Sequence, residues 1–176
     1  MGILAVGLGI GGPAAAGAFF HAMNNGLTKG VMFLSAGNIH RAYGSKLTDQ
    51  VHGAGRRLPV SGPLFLAGFL AVTGSPPFSP FFSEFAILNG ALGGGRFAVG
   101  ALFLLFLAVI FVGMGATVLK VVQGEPPATG PRGPGDSLLT AGPPLLLMGA
   151  VLGLGLFLPR GLAEAFRAAA ALVVGG

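Results

Sequence analysis

HAMNNGLTKGVMFLSAG, His21 to Gly37, is apolar enough to help cross a bilayer, yet it carries a histidine, two asparagines and a lysine. On an α-helix His21, Asn25 and Lys29 recur every four residues and so share one face, drifting about 40° per step. A lysine at bilayer depth costs about 2.5 to 3.5 kcal/mol even on the lenient insertion scale, so Lys29 is expected to face protein or water. Histidine titrates near neutral pH and burial penalises the charged form of lysine, so His21 and Lys29 in register can hold and pass protons. Asn25, in the same row, reads equally well as a helix–helix hydrogen bond. A lysine near a helix end could instead snorkel to the surface, but Lys29 falls in the central half of a span reaching from Ala14 to about Ile39.

The rest of the chain sets that stretch in lipid. Of its 176 residues 53% are hydrophobic and 9% charged, with mean hydropathy +0.83, whereas soluble domains average about 25% charged residues. Leu58 to Gly95 holds a single charge, Glu84, and Phe97 to Leu119 holds none; both runs exceed the roughly 20 residues a spanning helix needs. No stretch alternates over about 10 residues as a lipid-spanning strand does. The predicted fold class is therefore all-α, a polytopic transmembrane helical bundle. Its 33 glycines and 13 prolines suit that class, because small residues let helices approach closely and prolines are tolerated in membranes.

Composition also excludes chemistry. With no cysteine and three histidines no disulfide, thiolate metal site, iron–sulfur cluster or haem is expected, and the chain is read as carrying no cofactor. The net charge of +5 is spread over segment ends and forms no patch, so it reads as topology and no nucleic-acid partner is expected.

Read in order, the chain predicts about four full spans plus a truncated first helix, in one transmembrane domain over residues 1–176. GILAVGLGIGG is about half a span and looks like the end of a helix. Its Gly7, Gly9 and Gly12 satisfy a dinucleotide-binding glycine pattern without the strand context or acidic residue that pattern needs. After the Ala14–Ile39 span comes a polar loop, 40–57, whose His40 and His52 read as solvated. Leu58 to Leu92 is too long for one straight span and too short for two, and prolines at 76, 77 and 80 interrupt it. It reads as one discontinuous span, its break enclosed by protein or a wet cavity. Arg96 opens a span to about Val122, with Lys120 snorkelling at its end. A Pro/Gly-rich loop, 124–137, follows, then a span from Leu138 to Leu158 with Gly149 and Gly153 at helix-packing spacing, and a terminal interfacial helix at 161–176.

Arg41, Lys46, Arg56, Arg57, Lys120 and Arg132 fall on one side of this layout and Arg96, Arg160 and Arg167 on the other. The excess places loops 40–57 and 124–137 in the cytoplasm. Glu84 is the second anomaly. Near the start of the second half-helix, orphan N–H groups favour its ionised form while desolvation opposes it, so it reads as a titrating group, with a structural cap or salt bridge as the alternative.

FFHAMNNGLTKGVMFLSAGNI and AVTGSPPFSPFFSEFAIL together resemble two signatures of one family. The first is a histidine, a second polar residue and a lysine at four-residue spacing; the second is a broken helix with a proline pair followed by S-E-F. Both belong to the antiporter-like, proton-conducting subunits of respiratory complex I, Mrp antiporters and membrane-bound hydrogenases, and the details are most similar to hydrogenase-4 component F and its relatives. The resemblance implies that Lys29 and Glu84 belong to a proton path with His21 as an intermediate. Asn25 stands where many relatives carry a second histidine, so a relay would bridge it by water.

The resemblance further implies two inverted repeats of which this chain matches the last third, with Met1 at an internal methionine position; a truncated gene, a fragment or a misassigned start is the expectation. The implied partners are other membrane subunits of a hydrogenase- or complex-I-like assembly, the lipid bilayer and protons, in the plasma membrane. No catalytic redox site is expected in the chain itself. Two other readings stand beside proton translocation: a non-conducting structural remnant, and a cation/proton antiporter subunit moving sodium.

Overall fold

The computed structural model describes residues 1–126 and 133–174, and all regular structure among the described residues is helical. The elements are α1 (Gly2–Ile10), α2 (Gly12–Tyr43), α3 (Ala54–Arg57), α4 (Ser61–Val72), α5 (Ser79–Gly93), α6 (Phe97–Val122), α7 (Leu138–Leu156) and α8 (Arg160–Val174).

α2 is the axis of the molecule, packed by α1, α4, α5, α7 and α8. Gly11 and Gly12 turn the chain into it at φ 80 and 51, angles only glycine adopts freely, and Pro13 occupies its first turn, where no N–H is missed. Its 32 residues reach about 48 Å, well past the roughly 30 Å hydrocarbon core. The helix ends at Gly44, left-handed at φ 68, whose N–H closes on His40 O. His40 to Tyr43, expected in the polar loop, are thus the last helical turn. Polar residues spaced along α2 keep it off the set of helices both long and apolar enough to cross a membrane, which among the described residues is α6 and α7.

The block read as one interrupted span is two half-helices, α4 and α5, separated by residues 73–78. Pro76 and Pro77 lie in this break; Pro80 does not, since it sits in the first turn of α5 and starts that helix. Gly74 turns at φ 69, and the freed backbone finds local partners, Ser75 N–H on Leu70 O at 2.9 Å and Phe78 N–H on Ser75 O at 3.2 Å. α7 covers the break from outside. A Cβ on Gly155 would collide with Pro77 O and come 2.9 Å from Ser79 N, so a bare Cα is what lets the backbones meet. Gly149 and Gly153, predicted to do the packing, face open space within this chain.

One end of the bundle is stitched by polar groups. Asp136 Oδ2 accepts from Val60 N–H and Ser61 N–H at 2.8 and 3.1 Å, capping α4; Asn38 Nδ2, on α2, donates to Ser61 Oγ at 2.9 Å and to Thr140 O at 2.8 Å, tying in α7. At the same end Arg57 donates to Ala42 O at 2.5 Å and lies 4.4 Å over the Tyr43 ring. Lys120 pairs with Asp49 and holds that carboxyl below the usual carboxylate range. Arg41, Lys46, Arg56, Arg57 and Lys120 lie at this end, Arg56 paired with Glu125 at 3.2 Å, while Arg132 lies outside the described residues. Arg96, of the opposite group, donates to Gly9 O at 3.0 Å, meeting a carbonyl that the short helix α1 leaves unpaired.

Gly155→Ala is expected to push α7 off the break and lower stability by about 1 to 3 kcal/mol, whereas Gly149→Ala leaves it unchanged. Unfolding in detergent, followed by circular dichroism, distinguishes them; equal stability of the two variants contradicts the close-packing role.

Candidate functional site

The half-helix α5 lies against α2, and small side chains let the two approach: a Cβ on Gly90 would stand 2.6 Å from Ala14 Cβ, and one on Gly17 3.1 Å from Ala86 Cβ. With the helices this close, polar side chains one turn further along can meet. His21 and Ser83, both buried, are 3.0 Å apart through Nδ1 and Oγ. Ser83 Oγ spends its own hydrogen on Pro80 O at 2.8 Å, so in the neutral ring it is Nδ1 that carries the proton and donates. Nε2 is then the nitrogen left to accept one, the usual way a neighbour fixes the histidine tautomer.

One turn along α2, Asn24 is fully buried and donates Nδ2 to Ser79 O at 3.1 Å, the first carbonyl of α5. Thr28 follows, its hydroxyl closed onto Asn24 O at 2.6 Å, and then Ser35, also buried. Asn24 Oδ1, Ser79 Oγ, Ser35 Oγ and Glu84 Oε1 are buried atoms with no hydrogen-bond partner among the described residues. An unpaired buried polar atom costs about 1 to 3 kcal/mol, and this string of them follows α2 past the broken helix.

Glu84, next in sequence to Ser83, is 5% exposed and makes no ion pair among the described residues, which argues against the salt-bridge reading. It is also one turn beyond the start of α5, so it does not cap the helix. Its Oε2 lies against Gly74 of the break so closely that a Cβ there would overlap the oxygen. Two requirements for glycine coincide at Gly74: the left-handed turn itself and room for the carboxylate.

The three residues expected on one face part company. His21 is buried, Asn25 is half-buried, and Lys29 is exposed on the surface of this chain. The buried row is His21, Asn24, Thr28 and Ser35, stepping by three and four and seven. At about 100° per residue that row stays within a sector of roughly 60° on one side of His21, while Lys29 lies about 80° to the other side. The structure joins His21 to Ser83 and Asn24 to Ser79, folds Glu84 against Gly74 of the break, and leaves Lys29 exposed on the other side of α2. Asn24, Thr28, Ser79 and Ser83 were not singled out by the sequence, although Asn24 sits beside Asn25 and Ser83 inside S-E-F.

Residues 1–115 match the family described as NADH:quinone oxidoreductase/Mrp antiporter, TM. The chain is similar to the hydrogenase-4 component F homolog of Methylacidiphilum infernorum (isolate V4), 36% identical over 131 residues, covering 72% of this chain and 26% of that protein. It is also similar to a Na(+)/H(+) antiporter subunit of Bacillus subtilis (strain 168), 27% identical over 126 residues, covering 71% of this chain and 26% of the relative. This chain thus spans about a quarter of the length of these curated relatives. Its fold matches a chain of the solved Mrp complex from Dietzia sp. DQ12-45-1b with a TM-score of 0.85 at 24% identity, over 98% of this chain and 40% of the other.

The bond to Ser83 makes a spectroscopic prediction. Nitrogen-15 spectra of histidine-labelled protein are expected to show neutral His21 with its proton on Nδ1, and Ser83→Ala is expected to shift the population toward the Nε2–H form. An Nε2–H ring in the unaltered protein contradicts the assignment.

Proposed function

The chain belongs to the NADH:quinone oxidoreductase/Mrp antiporter transmembrane family, and from this premise we propose that it forms part of a proton-translocating membrane subunit in a hydrogenase- or complex-I-like assembly. The observation that carries the reading is the set of buried polar groups around the helix break, Glu84 against Gly74, His21 on Ser83 and Asn24 on Ser79, in which Glu84 Oε1, Asn24 Oδ1 and Ser79 Oγ have no hydrogen-bond partner among the described residues. A purely structural interior would not retain a carboxylate with an orphan buried oxygen, because its desolvation brings no compensating bond. Inside a bilayer such atoms are places for mobile water and exchanging protons.

In this scheme Glu84 holds and releases a proton at the break, His21 takes one at Nε2 while Ser83 keeps its Nδ1 proton in place, and Asn24 orients water without titrating. Asn25 borders the same region. Lys29 acts on the outer face of α2, toward protein that the longer relatives have room to supply. Pro76, Pro77 and Pro80 serve by making the break and starting α5. Redox chemistry, where coupled, belongs to other subunits of the assembly.

A second reading, cation/proton antiport, is favoured by the same buried oxygens, since Asn24 Oδ1, Ser79 Oγ and the Glu84 carboxylate are the donor type that sodium prefers. The charge distribution supports a plasma-membrane orientation with loops 40–57 and 124–137 in the cytoplasm.

In a full-length homologous protein reconstituted in sealed vesicles, Glu84→Gln and Lys29→Ala are each expected to lower proton uptake at least tenfold, with assembly retained; Glu84→Asp keeps a measurable fraction. Uptake unchanged in both variants sinks the path and leaves the packing role, and uptake that requires sodium selects antiport. For orientation, the chain has no cysteine, so Lys46→Cys can be labelled alone. An impermeant maleimide is expected to reach it in inverted vesicles and not in intact cells, with Arg160→Cys showing the reverse.

A further inference from the structure

At the polar end of the bundle, away from the site above, lies a groove of about 400 Å³ between the C-terminal turns of α2 and α6. Phe65 of α4 forms its floor, and Ile39, Val51 and Val121 its walls. His40 and Lys46 stand at its rim, and none of the residues lining it is acidic. We propose that this groove binds an anionic phospholipid of the surrounding bilayer, its phosphate at Lys46 and His40 and one acyl chain along Phe65.

Three observations converge on that occupant. The first is charge. Lys46 has no ion-pair partner among the described residues, Arg41 is exposed beside His40, and the nearby acid, Asp49, is already engaged by Lys120. The rim therefore presents uncompensated positive charge at the level where headgroups lie, the arrangement that basic pockets between transmembrane helices use for anionic lipids.

The second is construction. The segment carrying Lys46 and Val51 is held in shape by Ser45 Oγ on Gln50 Oε1 at 2.6 Å and by Gln50 N–H on Leu47 O at 2.9 Å. It is fastened to α6 by His52 Nδ1 against Lys120 O at 3.1 Å and by Gly53 N–H on Gln123 O at 2.7 Å. The two carbonyls are among those a helix leaves unpaired at its C-terminus. The rim is thus set by bonds that do not involve Lys46 itself, whose ammonium stays available.

The third is shape. Gly37 lines the groove and a Cβ there would meet nothing within 4 Å. One turn of a partner helix, about 10 to 12 Å across with its side chains and about 5.4 Å long, already takes up the groove's volume of about 400 Å³ or more, whereas an extended acyl chain is slender enough to lie in it. Further along the same side of α6 as Thr117, Phe106 and Ile110 are exposed, so the second chain has an apolar surface outside.

The test uses the full chain in neutral detergent, with thermal unfolding followed by circular dichroism while phosphatidylglycerol or phosphatidylcholine is added. Phosphatidylglycerol is expected to raise the transition saturably and phosphatidylcholine not to. Lys46→Glu is expected to weaken the phosphatidylglycerol response about fivefold or more, the scale of one lysine beside an anionic surface, and Lys46→Arg to preserve it. Gly37→Leu fills the groove and is expected to abolish the response with lipid-free stability unchanged; Thr117→Leu, entering from α6, is the second variant should Gly37→Leu fold poorly.

An equal response to both lipids overturns the proposal. So does a response that survives both filling variants, because rim charge alone then explains it. A photo-crosslinker at position 37 that captures a protein subunit in native membranes, and no lipid, also overturns it. None of these outcomes depends on proton movement, so the lipid site and the proton path fail separately.

Discussion

A helix interrupted inside a low-dielectric environment must have its loose backbone groups met by protein, and the rest of this molecule is arranged around that requirement. Residues 73–78 free several amides and carbonyls. α4 answers Ser75 N–H through Leu70 O, Phe78 O accepts from Phe81 N–H at the start of α5, α2 holds that start through Asn24 on Ser79 O, and α7 presses the bare Cα of Gly155 onto the proline pair. In lipid, where an unpaired backbone group costs several kcal/mol, these contacts are what allow the break to exist. Once α2 is held there by its small residues against α5, His21 meets Ser83, and Glu84 folds back onto Gly74. The polar site is a by-product of enclosing the break.

Much of this was legible because its causes are local. Prolines at 76 and 77 interrupt any helix, and a lone Glu84 in thirty-eight residues marks itself as unusual whatever surrounds it. Pro80 lies on the other side of the boundary for an equally physical reason: the same ring that breaks a helix interior is welcome in a first turn, and sequence does not say which side it falls on. α2 ends a turn later than its residues suggest: a histidine, an arginine and a tyrosine look like a loop, although cations favour a helix C-terminus and Gly44 marks the true end.

The non-local parts were not legible. Four-residue spacing gave His21, Asn25 and Lys29 one face, but which sector of α2 is buried depends on where α5 and α7 lie. Their placement selects the alternating three- and four-residue row through Asn24, Thr28 and Ser35, the straighter line along a helix. Gly149 and Gly153 show the same limit. Their spacing is that of close-packed helices, yet in this chain it is Gly155, outside the motif, that touches backbone. Spacing says which residues share a face and not what covers that face.

Lys29 turns this limit into an argument. It stands near the midpoint of α2, a helix longer than the bilayer is thick, and is exposed on this chain. Facing acyl chains there costs about 2.5 to 3.5 kcal/mol, comparable to leaving a buried polar atom unpaired at Glu84 or Asn24. Lys29 and Asn24 place two such costs on separate faces of α2, and Glu84 places a third on α5. They become intelligible when α2 divides two polar regions, an inner one sealed by α5 and an outer one met by the polar surface of a neighbour. The proposed proton path then crosses the helix instead of running along one face of it, with His21 and Glu84 on one side and Lys29 on the other.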